Sequence, residues 1–471
     1  MARLPLLYIL PLYLTLTACQ GVNLKNISEN PLGQLKVGLE KLSSPKVEMP
    51  KSSKNSAEKL DLKGMSLEDL MSGAKASVNL SSGFVASLRS AVQTDPQIIA
   101  AKDELRSRKI GIDVIEAGKD FQVSGTVYGG IEDVSEETAG VALDLRANKL
   151  LYDGGLVDFQ IVAENKSVES LEHALDAQLN QRTFELASIW VDLERYQTLN
   201  QLIEGRLKIL DPLIVQLETV AKAGVGDVSR VAAAQRTVSM IRVTQTDVSE
   251  SLSQAKLSFD NAFGSVPEKG LYDSLLITKN VPSKITEEMT KRAPVILSEY
   301  AAYLSAEAFL ASVRAREKFT VGFEARAVTP FGGSDYDKKE SLGLVINKTL
   351  YNGKMTSSEI EQAQAALASS KARLKSTARQ GEQAVKTAQQ TIQSMDRAIE
   401  LARQNAEVLT EEIVYLKQQL IIGGSTLDSV LSSEASLYEA ESKEINFMAE
   451  RRKAELAILA GLGLLAPLVG F

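Results

Sequence analysis

Four short segments of the chain alternate apolar and polar residues, which is the period of a β-strand. They lie near residues 121–128, 141–148, 319–327 and 342–347. The polar side of the second and third segments carries charged residues, namely Asp144, Arg146, Glu324 and Arg326. One apolar face and one charged face are typical of a barrel with lipid outside and water inside. A sheet of a water-soluble domain with one wet face has the same pattern, so alternation alone leaves both open.

Two long segments have helical periodicity instead. Residues 155–222 place leucine, isoleucine and valine at spacings of three and four, and residues 354–422 form a second stretch of this kind without proline. At about 1.5 Å per residue, each helix would be roughly 100 Å long. Pro212 lies inside the first stretch and predicts a kink there, because an interior proline removes a backbone hydrogen bond.

The order of these elements occurs twice along the chain. Leu151-Tyr152-Asp153-Gly154 is repeated as Leu350-Tyr351-Asn352-Gly353, 199 residues later, and Pro96 is repeated as Pro294. In both copies a strand should end near Leu-Tyr, followed by a tight turn and a long helix. A period near 200 residues is too long for a solenoid repeat, so the sequence predicts two structural repeats within one fold.

Glycine-containing turns predict where each long helix reverses direction. Gly224 and Gly423 follow the two long helices, and a shorter helix should follow each turn, to Phe263 and Gly463. Further helices should begin at Pro96 and Pro294, with Asp95 as a cap. Two short helices stacked end to end nearly match one long helix in length. We therefore expect the helix from Leu427 and the helix from Pro96 to lie together beside the second long helix.

The first residues resemble a bacterial lipoprotein signal. A basic residue and an apolar run precede Leu16-Thr17-Ala18-Cys19, which contains the only cysteine of the chain. The resemblance implies acylation of Cys19, and the following Gln20 favours the outer membrane. Residues 20–80 are rich in Ser, Lys, Asn and Gly and predict an extended tether with a short helix near Ser66–Met71.

Composition argues against several classes of function. Aromatic residues make up 5% of the chain, its net charge is −7, and it has one histidine and one cysteine. The charge argues against a nucleic-acid partner, and we find no catalytic set, no metal site and no cofactor-binding glycine loop. His173 lies among polar neighbours and is interpreted as a solvated residue on a helix face.

The duplicated Leu-Tyr turn, the two glycine tips and Leu437-Tyr438-Glu439-Ala440 together resemble the TolC-like outer-membrane efflux and secretion proteins over residues 84–465. The resemblance implies an α+β membrane protein: a homotrimeric 12-stranded β-barrel, four strands per chain, continued by a long α-helical coiled-coil barrel in the periplasm. A periplasmic adaptor protein and an inner-membrane pump, either ABC-type or proton-driven, would be its partners, besides outer membrane lipid. Three chains would supply an even number of strands, which can close.

The expected domains follow from this fold. They are a signal peptide (1–19), a tether (20–80), repeat 1 (81–270, strand pair 120–151, tip 224–227), an equatorial connector (271–293) and repeat 2 (294–471, strand pair 318–351, tip 423–427). Asp144, Arg146, Glu324 and Arg326 would line the barrel lumen.

The ionic gate of well-known family members cannot be carried over to this sequence. Leu420, Ser425, Ser429 and Ser432 occupy the positions of its tyrosine, arginine and acidic residues. The charged residues near the tips are instead Asp227, Arg230 and Asp428, so the periplasmic entrance is expected at Gly224, Asp227, Arg230, Gly423, Ser425 and Asp428. An alternative is that Asp227 caps a helix and that the other two are solvated.

The resulting hypothesis is a passive conduit for efflux or type I secretion, which the sequence does not distinguish. A periplasmic coiled-coil lipoprotein without a pore is the alternative, but it leaves the four strands unexplained. An enzyme acting on the cell wall or on lipid would need a catalytic set that we do not find.

Overall fold

The computed structural model describes residues 83–133, 138–222, 228–265, 278–282, 284–331, 334, 337–422 and 424–471. The signal, Cys19 and the predicted tether lie outside these residues. The described elements are α1 (Phe84–Gln93), α2 (Pro96–Ala117), β1 (Gln122–Asp133), β2 (Thr138–Tyr152), α3 (Leu156–Lys222), α4 (Val228–Phe263), α5 (Glu287–Lys291), α6 (Pro294–Ala315), β3 (Thr320–Phe331), β4 (Lys339–Asn347), α7 (Met355–Ile421), α8 (Leu427–Gly461) and α9 (Leu465–Val469).

The elements confirm two structural repeats. The long helices α3 and α7 each have 67 residues, and α2 and α6 each have 22. The helices after the two tips, α4 and α8, have 36 and 35 residues. Among the described helices, none combines the length and apolar character that crossing a membrane requires.

The chain divides into two compact units, one of which is the central part of the sheet. The four strands pair in the order β1-β2-β3-β4, so that the β2–β3 pair joins the two repeats and β1 and β4 are the edges. Ala142, Val328 and Tyr128 pack together on one face. Leu143 and Leu145 lie beside Gly125 on the other face. The predicted alternation is therefore confirmed.

The second repeat differs from the prediction at the end of its sheet. β2 continues through Tyr152, whereas β4 ends at Asn347 and leaves Leu350 and Tyr351 outside the strand. β2 has a bonded neighbour on both sides, but β4 has a neighbour on one side only, so fewer backbone hydrogen bonds extend it.

The repeated turn explains why a long helix begins where it does. Asp153 accepts hydrogen bonds from the backbone N–H groups of Gly155 (2.8 Å) and Val157 (2.7 Å), which caps the start of α3. Gly154 has a φ of 72°, and a Cβ there would lie 2.6 Å from the side chain of Lys318. Lys318 donates to the Gly154 carbonyl at 2.8 Å. Glycine is thus required both by the backbone conformation and by this close approach.

The second unit contains the helices and its largest apolar core lies around Trp190 of α3. The centre of the Trp190 ring lies 4.9 Å from the ring centre of Phe84 of α1. It lies 5.0 Å and 5.4 Å from the ring centres of Phe259 and Phe263 of α4. The short C-terminal helix α9 closes the same core, with Leu465 and Val469 fully buried. Pro212 lies within α3, which continues from Leu156 to Lys222, so the proline does not end the helix.

The prediction that α2 lies beside the second long helix, α7, is wrong within a single chain. α8 lies along α7 as expected, but α2 packs against α3 and α1, and has no extended interface with α7 in the described residues. α6 contacts both long helices. It begins at Pro294, as predicted, and ends at Ala315. The reason is topological, because α2 and α3 flank one strand pair of repeat 1 and remain neighbours.

Candidate pore-lining and entrance residues

Three of the four predicted lumen residues form one charged cluster on the sheet. Asp144 of β2 accepts hydrogen bonds from Arg326 of β3 at 3.0 and 2.9 Å and from Arg146 at 3.1 and 2.7 Å. Asp144 is 3% exposed, while the side chains of Arg146 and Arg326 are 61% and 47% exposed. The two guanidinium groups therefore cover the carboxylate and present positive charge to solvent.

Glu324 is on the same face as Arg326, two residues earlier along β3, and its side chain is exposed. The cluster and Glu324 together place two acidic and two basic side chains on this face. Charged groups on the inner face of a water-filled barrel control which solutes pass.

The opposite face of the sheet is apolar and exposed. Leu342, Leu344 and Ile346 of β4 are all largely exposed, as are Val123 and Val127 of β1. Where the strands end, the Lys149 amine lies 4.9 Å from the centre of the Phe121 ring. Tyr152 and Phe319 are 5.0 Å apart between ring centres. Exposed apolar residues bordered by lysine and aromatic residues suit contact with lipid and its interface.

The helical unit contains a cavity with a mixed lining of small, apolar and polar side chains. A cavity of about 1090 Å³ lies among α2, α3, α6, α7 and α8. Its lining includes Ala100, Ala101, Gln178, Gln181, Gln380 and Ala384. The lining also includes the apolar residues Ile98, Val295, Val385 and Ile458 and the charged residues Arg182 and Glu185. Within the described ranges, no group of three or more His, Cys, Asp or Glu residues is placed to bind a metal ion.

The predicted entrance residues are only partly described. Gly224, Asp227 and Gly423 lie outside the described residues, and of Arg230 only the helical backbone is described. Ser425 precedes Thr426, the cap of α8, whose hydroxyl accepts a hydrogen bond from Ser429 N–H at 3.2 Å. Asp428 is in the first turn of α8, where an acidic residue is favourable to the helix dipole.

A charged cluster that the sequence analysis missed connects α3, α7 and α8. Glu434 of α8 is 2% exposed and lies 2.8 Å from Arg206 of α3 and 2.8 Å from Lys417 of α7. Arg206 also contacts Glu441 at 2.6 Å. The available signal was a glutamate on an apolar helix face, between the buried Leu431 and Tyr438.

Solved structures with the same fold are outer-membrane channels. They include CusC, reported in work on transmembrane channel formation (TM-score 0.72, 15% identity, 80% of this chain and 91% of that chain). VceC of Vibrio cholerae matches with a TM-score of 0.70 and 15% identity over 80% of this chain and 95% of its own. The open-state MtrE channel of Neisseria gonorrhoeae matches with a TM-score of 0.66 and 14% identity over 89% of this chain and 96% of its own.

Comparisons of sequence alone add nothing to this: no protein-family model matches the chain, and no curated protein matches it. The structural likeness shows that the chain has the fold of the TolC-like outer-membrane channels, and it confirms the fold class that the resemblance in sequence implied.

Proposed function

We propose that this chain is the outer-membrane channel of a tripartite efflux or type I secretion system. The observation that carries this proposal is the sheet, which has an exposed apolar face and a charged face on the same four strands. A contiguous exposed apolar face marks a surface that contacts lipid or another protein, and a charged opposite face on the same strands fits a barrel with lipid outside and water inside. The fold shared with known outer-membrane channels supports the same conclusion.

The proposed channel is a homotrimer, because four strands with two open edges cannot close alone. Joining β4 of one copy to β1 of the next would give a closed barrel of twelve strands, continued by a barrel of the long helices. Asp144, Arg146, Glu324 and Arg326 would face its lumen. In this arrangement the bacterial outer membrane surrounds the barrel, and the helices extend into the periplasm.

The protein would act as a conduit and not as an enzyme. Energy would come from an ABC-type or proton-driven inner-membrane pump, connected through a periplasmic adaptor protein at the helical tips. Acylation of Cys19 would anchor each copy in the outer membrane, which metabolic labelling of wild type and Cys19→Ser with a fatty acid tests directly.

The test of the proposal is planar-bilayer conductance of the detergent-extracted protein, with its mass measured in the same detergent. We expect discrete openings from a species of three chains. A monomeric, non-conducting protein that needs no detergent would contradict the channel and favour the alternative of a periplasmic stalk. Neighbouring genes for a drug pump or a protein exporter would separate efflux from secretion.

Asp227, Arg230 and Asp428 are proposed to close the periplasmic entrance, at the tips marked by Gly224, Gly423 and Ser425. Asp227→Ala and Asp428→Ala should then raise the single-channel conductance. Unchanged conductance in both variants would contradict the gate and favour the alternative, in which Asp227 caps a helix and Asp428 is a solvated acidic residue in the first turn of α8.

A further inference from the structure

Another cavity of the helical unit lies between α7, α8 and the segment of chain that precedes α5. Its volume is about 590 Å³, and it is partly open to solvent. Val281 and Ile285 of that segment pack with the buried Ile458 of α8 and with Ile392 of α7, and all four side chains line the cavity. A cavity of this size far exceeds the space of one water molecule and lies in the range of small-molecule sites.

A buried carboxyl group forms part of the wall of this cavity. It belongs to Glu455 of α8, which is 7% exposed, and its Oε1 atom lies 2.8 Å from the guanidinium group of Arg451. Thr278 also acts on this carboxyl group, but the other oxygen, Oε2, is buried and has no hydrogen-bond partner in the described part of the chain. A buried acceptor without a donor is unfavourable, so a ligand that donates a hydrogen bond here would stabilise the site.

The charges around Glu455 favour a further cation. Arg451 is shared between two carboxylates, since it contacts both Glu455 and Asp396 of α7. The neighbouring Arg452 is paired instead with a glutamate of α3, at 2.9 Å. Lys279 also lines the cavity, but it is exposed to solvent, where its charge is screened. One guanidinium group thus serves two carboxylates, which leaves a negative charge at this wall for a ligand to neutralise.

The equivalent positions of repeat 1 carry different residue types. Residues of α4 correspond to residues of α8 that are 199 positions later, since the two helices follow the two tips and nearly match in length. Arg451 and Glu455 therefore correspond to Leu252, which is buried, and to Lys256, which is exposed. The helix packing of this fold does not require a buried carboxyl group at this position. The pair of Arg451 and Glu455 is thus a feature of the cavity in repeat 2.

We propose that this cavity binds a small organic amine with an apolar body. The ammonium group donates a hydrogen bond to Glu455 Oε2, and the apolar part contacts Val281, Ile285 and Ile392. Burial raises the pKa of Glu455, and a bound cation favours the charged form of its carboxyl group again. The site lies wholly within the helical unit, so the proposal does not depend on the proposed channel function.

Equilibrium dialysis of the detergent-extracted full chain tests the proposal with two probes of similar shape. One is 2-phenylethylamine, which carries an ammonium group at neutral pH, and the other is the uncharged 2-phenylethanol. Dialysis against the same detergent without protein corrects for uptake by micelles. We expect the amine to bind at least about tenfold more tightly than the alcohol, because a hydrogen bond between charged groups is roughly twice as strong as a neutral one. Equal binding of the two probes, or no binding of the amine, would overturn the proposal.

Three variants locate the bound amine. Glu455→Gln keeps the shape of the side chain and should remove the preference for the amine, with binding of the alcohol unchanged. Glu439→Gln removes an exposed charge that pairs with Lys443 on the same helix, and it should bind both probes as wild type does. Gln389→Trp fills the cavity from the α7 side and should weaken binding of both probes several-fold. Equal losses in the two glutamate variants, or full binding by Gln389→Trp, would place the probes elsewhere and overturn the site.

Discussion

At the residue scale, Asp144 is not freely exposed on the charged face of the sheet, because the side chains of Arg146 and Arg326 cover it. The spacing of β2 and β3 predicted which face Asp144, Arg146 and Arg326 share, because side chains alternate along a strand. The prediction did not include the pairing of one carboxylate with two guanidinium groups, since Arg326 is 182 residues away in sequence. The carboxylate joins the two repeats across the sheet and leaves the arginines as the exposed charges.

Replacing Asp144 with Asn tests this role. The change leaves Arg146 and Arg326 without their shared carboxylate, so we expect the proposed trimer to dissociate at a lower temperature, measured by heating before gel electrophoresis. Glu324→Gln removes the same charge from an exposed position on the same face and should leave the heat stability unchanged. Equal losses of stability in the two variants would show that the charge of the face, and not the cluster, matters.

Glu455 of α8 is a buried carboxyl group with an altered pKa. Burial raises the pKa of this group, against the effect of Arg451, whose guanidinium lies 2.8 Å from it. Arg452, Asp396 of α7 and Thr278 also act on it. Because folding raises this pKa, the folded protein binds the proton more tightly than the unfolded chain does.

The free energy of unfolding should therefore fall as pH rises from the ordinary carboxyl range through the raised pKa of Glu455. Glu455→Gln keeps the shape and removes the titration, so its thermal midpoint should change less with pH over this window. Thermal unfolding followed by circular dichroism at a series of pH values measures this. Parallel profiles for the two proteins would contradict the assignment to Glu455.

At the scale of elements, the helices meet through both apolar seams and buried charge. Periodicity predicted α3 and α7 well because their apolar positions recur at local spacings. The cap at Asp95 was predicted from its place before Pro96, whereas the cap at Thr426 was not predicted. Asp95 accepts a hydrogen bond from Gln97 N–H at 2.9 Å, as its place before Pro96 indicated. The cluster at Glu434 could not be predicted in the same way, since its partners come from three helices.

Glu434→Ala tests the contribution of this cluster. A buried charge left wholly unpaired typically costs about 3–5 kcal/mol. Arg206 keeps Glu441 and the Lys417 side chain is 46% exposed, so Glu434→Ala should cost less than this but clearly more than the loss of a surface pair. Glu439→Ala removes an exposed partner of Lys443 on the same helix, at 2.7 Å, and should cost at most about 0.5 kcal/mol. Denaturant unfolding of both variants measures the difference. Similar midpoints would mean that the cluster contributes no more than a surface pair.

At the scale of the whole molecule, the C-terminal helix α9 connects distant parts of the chain. Ala466 N–H donates to Asn180 Oδ1 of α3 at 2.9 Å, and Arg89 of α1 donates to the Val469 carbonyl at 2.6 Å. The sequence analysis assigned no role to these residues. Their burial against Trp190 and its neighbours makes them part of the main helical core.

Deleting residues 465–471 should expose this core and reduce the yield of protease-resistant protein extracted from membranes. Asn180→Ala removes the acceptor of the Ala466 N–H together with the donor to the Asp176 carbonyl, and should cost about 1–3 kcal/mol, a smaller effect. Limited proteolysis of both variants and of the full chain compares their resistance, which should be lowest for the truncated protein. A truncated protein as resistant as the full chain would contradict a structural role for α9.

The sequence by itself determined the features that repeat at short range. Alternation predicted the strands and their two faces, and helical periodicity predicted the long helices, because each depends only on residues that are neighbours along one element. The offset near 199 also predicted the two repeats, because a duplicated order of motifs is visible along the chain itself. Tertiary structure alone decided that α2 packs on α3, that Asp144 holds two arginines and that Glu434 is buried between three helices. These contacts join residues far apart in the chain, and their geometry depends on which helix faces are already occupied.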